Sequence, residues 1–197
     1  KFKYFQKYIQ FKYTIHMKYS VAEFLLPTDL ETFIKFFWRS KEFYIEFLEE
    51  KLLDKHVKVG DWKTESKINN NEEEEKENSN LSILTKRRRE IHSHHPSKIS
   101  FPGLPAHAES FKTQIITYSE NEQKLSILEK NHLKGIPYSD YFAVHIEWCC
   151  TEDGLGGTRA EIFVSFDFHK STWLQGTFES NTCAELKDVY ELWYEHA

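Results

Sequence analysis

Apolar and polar residues alternate most regularly in the last third of the chain. Within Tyr138–Cys150, Phe142, Val144, Ile146, Trp148 and Cys150 fall on one face, opposite Tyr141, His145 and Glu147. A period of two with one apolar face predicts a half-buried strand. After the turn Gly154-Leu155-Gly156-Gly157 the pattern repeats over Thr158–Phe168. Ala160, Ile162, Val164, Phe166 and Phe168 face one way, and Arg159, Glu161, Ser165 and Asp167 the other. The two segments are expected to be a long antiparallel pair. From about Asn181 the period becomes helical, with Cys183, Leu186, Val189, Tyr190 and Trp193 on one stripe. That stripe needs an apolar partner, and the sheet face supplies it.

Upstream the periods are shorter. Thr28 and Glu31 have capping-box spacing after Pro27. Leu30, Phe33, Ile34, Phe37 and Trp38 then recur at helical spacing, which predicts a helix over 29–39. A second short helical segment carries Phe43, Tyr44, Ile45 and Phe47, and His56–Trp62 reads as a strand ending at Gly60-Asp61. Residues 110–120 and 123–131 read as two further strands. In the first, Thr113, Ile115 and Thr117 oppose Gln114, Ile116 and Tyr118, so an inward Gln114 would be a polar group in an apolar cup. The sum is an α+β domain with helices on an antiparallel sheet.

Composition narrows the class. The 197 residues suit one domain, and the 16 Phe, 10 Tyr and 5 Trp suit a core or an apolar ligand pocket. A net charge of −5 argues against nucleic acid as a partner. Cys149, Cys150 and Cys183 make no disulfide framework, which points to a reducing compartment. No apolar run reaches the ~20 residues of a membrane span, and no signal peptide is legible. The chain starts at Lys1 and its single Met is Met17, so it reads as a piece of a longer protein. Residues 1–21, with lysines interleaved among aromatics, read as a linker or the edge of a preceding domain. Residues 22–197 then form the domain. The Asn/Glu-rich stretch 66–85 reads as a disordered surface insertion, and the glycosylation pattern at Asn80-Leu81-Ser82 is taken as chance.

The chemical motifs are mostly negative. The Gly154–Gly157 turn joins two strands, whereas a phosphate loop leads into a helix. No nucleophile elbow, zincin helix or paired-Cys pattern occurs. His92 and His94 share a strand face, but no third ligand completes a set at metal spacing. Neither an enzyme, a metal nor a cofactor is expected. The basic run Lys86, Arg87, Arg88 and Arg89 has two readings: docking on anionic lipid, or balance for the acidic insertion.

One resemblance joins these pieces. LPTDLETFIKFFW, then GDW, SFKTQ and GIPYSDYFAVHIEW, then a strand ending FHKSTWLQG before a terminal helix, resembles the VASt domain. This is the START-like module of Aster/Lam-type GRAM-domain sterol transporters. The most specific piece is Ile136–Phe142, supported by Trp62 and Gln114. The resemblance implies a START-like helix-grip fold: a curved antiparallel sheet around a long C-terminal helix, enclosing an apolar cavity. It also implies a sterol or other lipid ligand moved between membranes at contact sites. The setting would be the cytosolic face of the endoplasmic reticulum, opposite the plasma membrane and aided by anionic membrane lipid. The isolated domain is expected to be soluble and monomeric. The expected lipid-binding residues are Phe33, Phe37, Gln114, Tyr118, Phe142, Val144, Ile146, Trp148, Ile162, Val164, Phe166, Leu186, Val189, Tyr190 and Trp193. Gln114 or Tyr118 would read the sterol hydroxyl, and the helix 29–39 with the FPGLP loop would form a lid. The alternative is a non-catalytic interaction module with a filled core. An enzyme would need polar groups converging in the cup.

Overall fold

The computed structural model describes residues 19–65, 84–97, 105–119 and 123–197. The basic–aromatic stretch 1–18, the Asn/Glu run and the first four residues of FPGLP lie outside them. The described chain runs β1 (Tyr19–Leu26), α1 (Leu30–Phe33, continued by a π-helical stretch Ile34–Arg39) and α2 (Lys41–Glu46, continued by a π-helical stretch Phe47–Lys51). Then come β2 (Lys55–Val59), β3 (Lys63–Thr64), β4 (Leu84–Pro96), β5 (His107–Ser119), β6 (Lys124–Lys134), β7 (Phe142–Glu152), β8 (Thr158–Phe168) and α3 (Gln175–His196).

The strands form one antiparallel sheet in the order β1-β8-β7-β6-β5-β4-β2, with β3 also pairing to β4. The expected β7–β8 pair is in register from Phe142 with Phe168 to Glu152 with Thr158. Its turn is held by Asp153, whose Oδ1 accepts from the N–H groups of Leu155 (2.7 Å) and Gly157 (2.8 Å). A Cβ on Gly157 would sit 2.9 Å from the Leu26 carbonyl oxygen, so the turn packs against the end of β1 only with glycine there. The sheet, the C-terminal helix and the short helices make the START-like helix-grip α+β fold.

Three boundaries differ from the sequence reading. Tyr19–Leu26 is an edge strand paired to β8, so the domain begins before residue 22. The apolar positions Val21, Phe24 and Leu26 are buried there, and a bulge between Ser20 and Ala22 breaks the strict alternation that would have marked a strand. Residues 84 and 85 belong to β4, not to the insertion. Helix α3 also starts six residues before Asn181, at Gln175. Its first turn is held by tertiary contacts: Phe178 stacks on Phe142 at 5.3 Å, and Glu179 accepts from Tyr19 Oη at 2.5 Å.

The IPYSDYF segment explains how α3 is aimed. Tyr138 adopts φ 62°, a left-handed conformation costly for a non-glycine residue. Its ring lies 5.1 Å from Tyr141 and 5.3 Å from Phe178 of α3. The Tyr141 carbonyl accepts from His169 N–H at 2.8 Å, and Asp140 pairs with Lys170. The loop before β7 is thereby tied to the loop that feeds α3.

Candidate functional site

Helix α3 and the α1–α2 pair cover one face of the sheet. Register places Arg87, Ile116, Ile127, Trp148 and Ile162 in one row across that face. Arg89, Gln114, Glu129, Ile146 and Val164 make the next row, and Ile91, Lys112, Asn131, Val144 and Phe166 the one after. Between the last two rows and α3 lies a groove whose free volume is about 40 Å³. Ile146, Trp148, Leu186, Val189, Tyr190 and Trp193 line it, together with Trp38, Tyr44, Lys112, Glu129 and Asn131. At one end it is filled by rings: Trp148 lies 4.9 Å from Trp193, 5.2 Å from Tyr190 and 5.1 Å from Trp38. At the other end Phe142, Phe166, Phe168 and Phe178 form a half-buried aromatic group.

The middle row is a polar belt inside the apolar face. Arg89 Nε donates to Gln114 Oε1 at 2.6 Å, and Gln114 Nε2 donates to Glu129 Oε2 at 2.7 Å. Tyr44 Oη and Trp148 Nε1 also donate to the Glu129 carboxylate, at 3.2 and 3.3 Å. Arg89 is 1% exposed, and its guanidinium lies against Trp62 (4.4 Å) and Tyr44 (4.9 Å). Burial lowers its affinity for the proton, an effect partly offset by Tyr44 and Glu129. Burial raises the Tyr44 hydroxyl well above its ordinary value, and Glu129 adds to this, so Tyr44 is a donor to the carboxylate throughout the physiological range.

A second polar cluster holds α3 against the opposite edge. Ser93 Oγ donates to Asp54 Oδ2 at 2.5 Å, His95 Nδ1 lies 2.6 Å from Asp54 Oδ1, and His95 Nε2 is 4.0 Å from Glu185 of α3. Burial alone would lower the His95 pKa, but the bonds to Asp54 and then Glu185 outweigh it and raise the group to about 9. Asp54 is held below its ordinary value: burial opposes this, and the bonds from His95 and Ser93 prevail. Because the His95 pKa is raised on folding, its stabilisation is complete below pH about 6.5 and is lost as pH rises through about 9. In urea titrations across that window the wild type should lose on the order of 1–3 kcal/mol. His95→Asn should flatten the pH dependence, and an unchanged slope in that variant would refute the assignment.

Of the expected lipid-binding residues, six line the groove: Ile146, Trp148, Leu186, Val189, Tyr190 and Trp193. Phe142, Val144, Ile162, Val164 and Phe166 lie on the same face. Phe33 and Phe37 pack on Trp193 at 6.2 and 5.5 Å, as part of the filled end. Gln114 is 0% exposed and its amide is engaged on both sides, so it is not free to read a ligand hydroxyl. Tyr118 lines a different cavity, with Arg87. The basic run does not form one docking face, because strand alternation splits it. Lys86 and Arg88 pair with Glu65 (2.5 Å) and Glu90 (2.9 Å), while Arg87 turns toward the cavity and Arg89 is buried. The sequence reading missed Glu129 and Asn131, although both continue the alternation of Leu125 and Ile127. Cys149 and Cys150 are buried thiols, and burial pushes Cys149 up to about 12. Among the described residues no helix is long and apolar enough to cross a membrane.

The comparison with family models decides what this architecture is. The model for the VASt domain, the VAD1 analog of StAR-related lipid transfer domain, matches residues 10–185. The chain belongs to the VASt family. The VASt match begins upstream of β1, in agreement with an edge strand at Tyr19, and runs into α3. VASt domains are lipid-binding modules of the START-like class. No match to an individual curated protein was found.

Proposed function

We propose that the VASt domain carries a sterol in the α3 groove and moves it between membranes without catalysis. The observation that carries this reading is the groove's chemistry: apolar walls on two sides and, beside the polar groups of Tyr44, Lys112 and Glu129, Asn131, whose buried Oδ1 accepts from no group among the described residues. Buried acceptors are nearly always paired, and a single ligand hydroxyl entering from the apolar side would supply the donor. Burying the rings of a sterol at roughly 25 cal/mol per Å² drives its transfer from water. Transfer at contacts between the endoplasmic reticulum and the plasma membrane, with anionic lipid as a docking aid, rests on family resemblance and belongs to the same proposal.

The groove volume sets a condition. A site for a lipid-sized molecule needs about 300–1,000 Å³, against about 40 Å³ here. Loading therefore requires α3 to move away from the sheet. The same volume favours a second reading, a VASt-fold interaction module with a filled core. Extraction of a fluorescent sterol from neutral phosphatidylcholine vesicles separates the two. The carrier should extract it, and Leu186→Trp, which fills the groove from a partly exposed position, should abolish extraction with little change in thermal midpoint. If the wild type extracts neither sterol nor any other lipid, the filled-core reading stands instead.

A further inference from the structure

On the other side of the Arg89–Gln114–Glu129 belt lies a second cavity, of about 80 Å³. Ile34, Trp62 and Ile116 form apolar walls, and Arg39, Arg87 and Tyr118 contribute the polar groups. This volume is well above the ~10–15 Å³ that holds one water. Neither Arg39 nor Arg87 forms an ion pair among the described residues, whereas Lys86 and Arg88, on the opposite strand face, are both paired. Arg87 Nε is buried and has no hydrogen-bond partner among the described residues. Directly behind the Trp62 wall, Arg89 Nη1 and Nη2 are also buried without hydrogen-bond partners among the described residues. Its counter-charge, Glu129, is reached only through Gln114 and faces the α3 groove.

Buried guanidinium donors without partners are rare, because each loses its hydration and receives nothing in return. Two arginines opening on one cavity, with a third behind its wall, supply planar forks suited to the oxygens of a phosphate. The apolar walls add contact for the part of a hydrocarbon body nearest that charge, the rest extending beyond a cavity of about 80 Å³. We propose that this cavity is an anion site for the phosphate of an amphiphile, bound by Arg39 and Arg87 and flanked by Trp62. The site is separate from the α3 groove and does not depend on what that groove carries.

The Trp62 indole is a built-in reporter, since its Nε1–H donates to the Trp38 carbonyl at 2.8 Å on the cavity wall. Dihexanoyl phosphatidic acid, titrated as monomers, should shift the Trp62 Nε1–H resonance saturably, and dihexanoylglycerol, which lacks the phosphate, should not. In Arg39→Gln/Arg87→Gln the affinity should fall by roughly tenfold to a hundredfold. Sterol extraction from neutral vesicles should be unchanged in that variant. Should the double variant fold poorly, Arg39→Glu at the exposed rim replaces it, with the same expected loss. Inorganic phosphate distinguishes the source: equal affinity identifies the free ion as sufficient, and markedly weaker binding identifies the lipid. A phosphatidic acid titration that leaves Trp62 unmoved, equal shifts with dihexanoylglycerol, or unchanged affinity in the variants would overturn the proposal.

Discussion

Glu129→Leu should destabilise the domain by about 3–5 kcal/mol, read as a lower urea midpoint at unchanged slope. Glu129 is 4% exposed and accepts three side-chain donors, from Gln114, Tyr44 and Trp148. Its charge is the counterpart of Arg89, which is 1% exposed and connected to it through Gln114. Removing the carboxylate strands a buried cation and leaves the indole of Trp148 and the amide of Gln114 without an acceptor. Leucine of similar size cannot replace those bonds. The effect should be strongly non-additive: Arg89→Met/Glu129→Leu should cost less than the sum of the single changes, because the second substitution removes the group that the first left unpaired. A loss below about 1 kcal/mol for Glu129→Leu, or strict additivity in the cycle, would show that the belt is not an electrostatic unit.

The same belt shows where the sequence was legible and where it was not. Phe142–Cys150 and Ala160–Phe168 were readable because their inward positions are uniformly apolar at a period of two, even though Ala143, Cys149 and Phe163 are apolar on the other face. The α3 stripe was readable for the same reason at a different period. Glu129 and Arg89 occupy inward positions with charged side chains, and on pattern alone a charge reads as solvent-facing. Only the pairing of β4, β5 and β6 brings Arg89, Gln114 and Glu129 side by side, and that register joins residues that lie far apart in the sequence. Asp54, Ser93, His95 and Glu185 were illegible for a related reason: they come from a turn, one strand and a helix, with no spacing in common. The basic run divides between two faces, as four consecutive residues on a strand must. The early start of α3 was hidden because Phe178 and Glu179 are held by tertiary partners, Phe142 and Tyr19.

Trp193→Ala is the substitution that joins stability to function. Trp193 is 2% exposed and lies 4.9 Å from Trp148, 5.5 Å from Phe37, 5.6 Å from Phe43, 6.1 Å from Phe24 and 6.2 Å from Phe33. It therefore holds the C-terminal half of α3 to β1, β7 and both short helices at once. Truncation should cost about 3–5 kcal/mol in urea titrations, near the top of the range for a large buried ring. The ring also lines the α3 groove, so the vacated space adds to the existing 40 Å³. If sterol loading requires α3 to lift, the substitution lowers the cost of lifting while enlarging the cavity. The initial rate of sterol extraction per folded molecule should then rise, even as the thermal midpoint falls. A purely structural role predicts the opposite: extraction would decline in proportion to the folded fraction. The two readouts move in different directions only when the same contact closes the groove and holds the fold together, which is why Trp193 is the residue on which the carrier reading is most exposed.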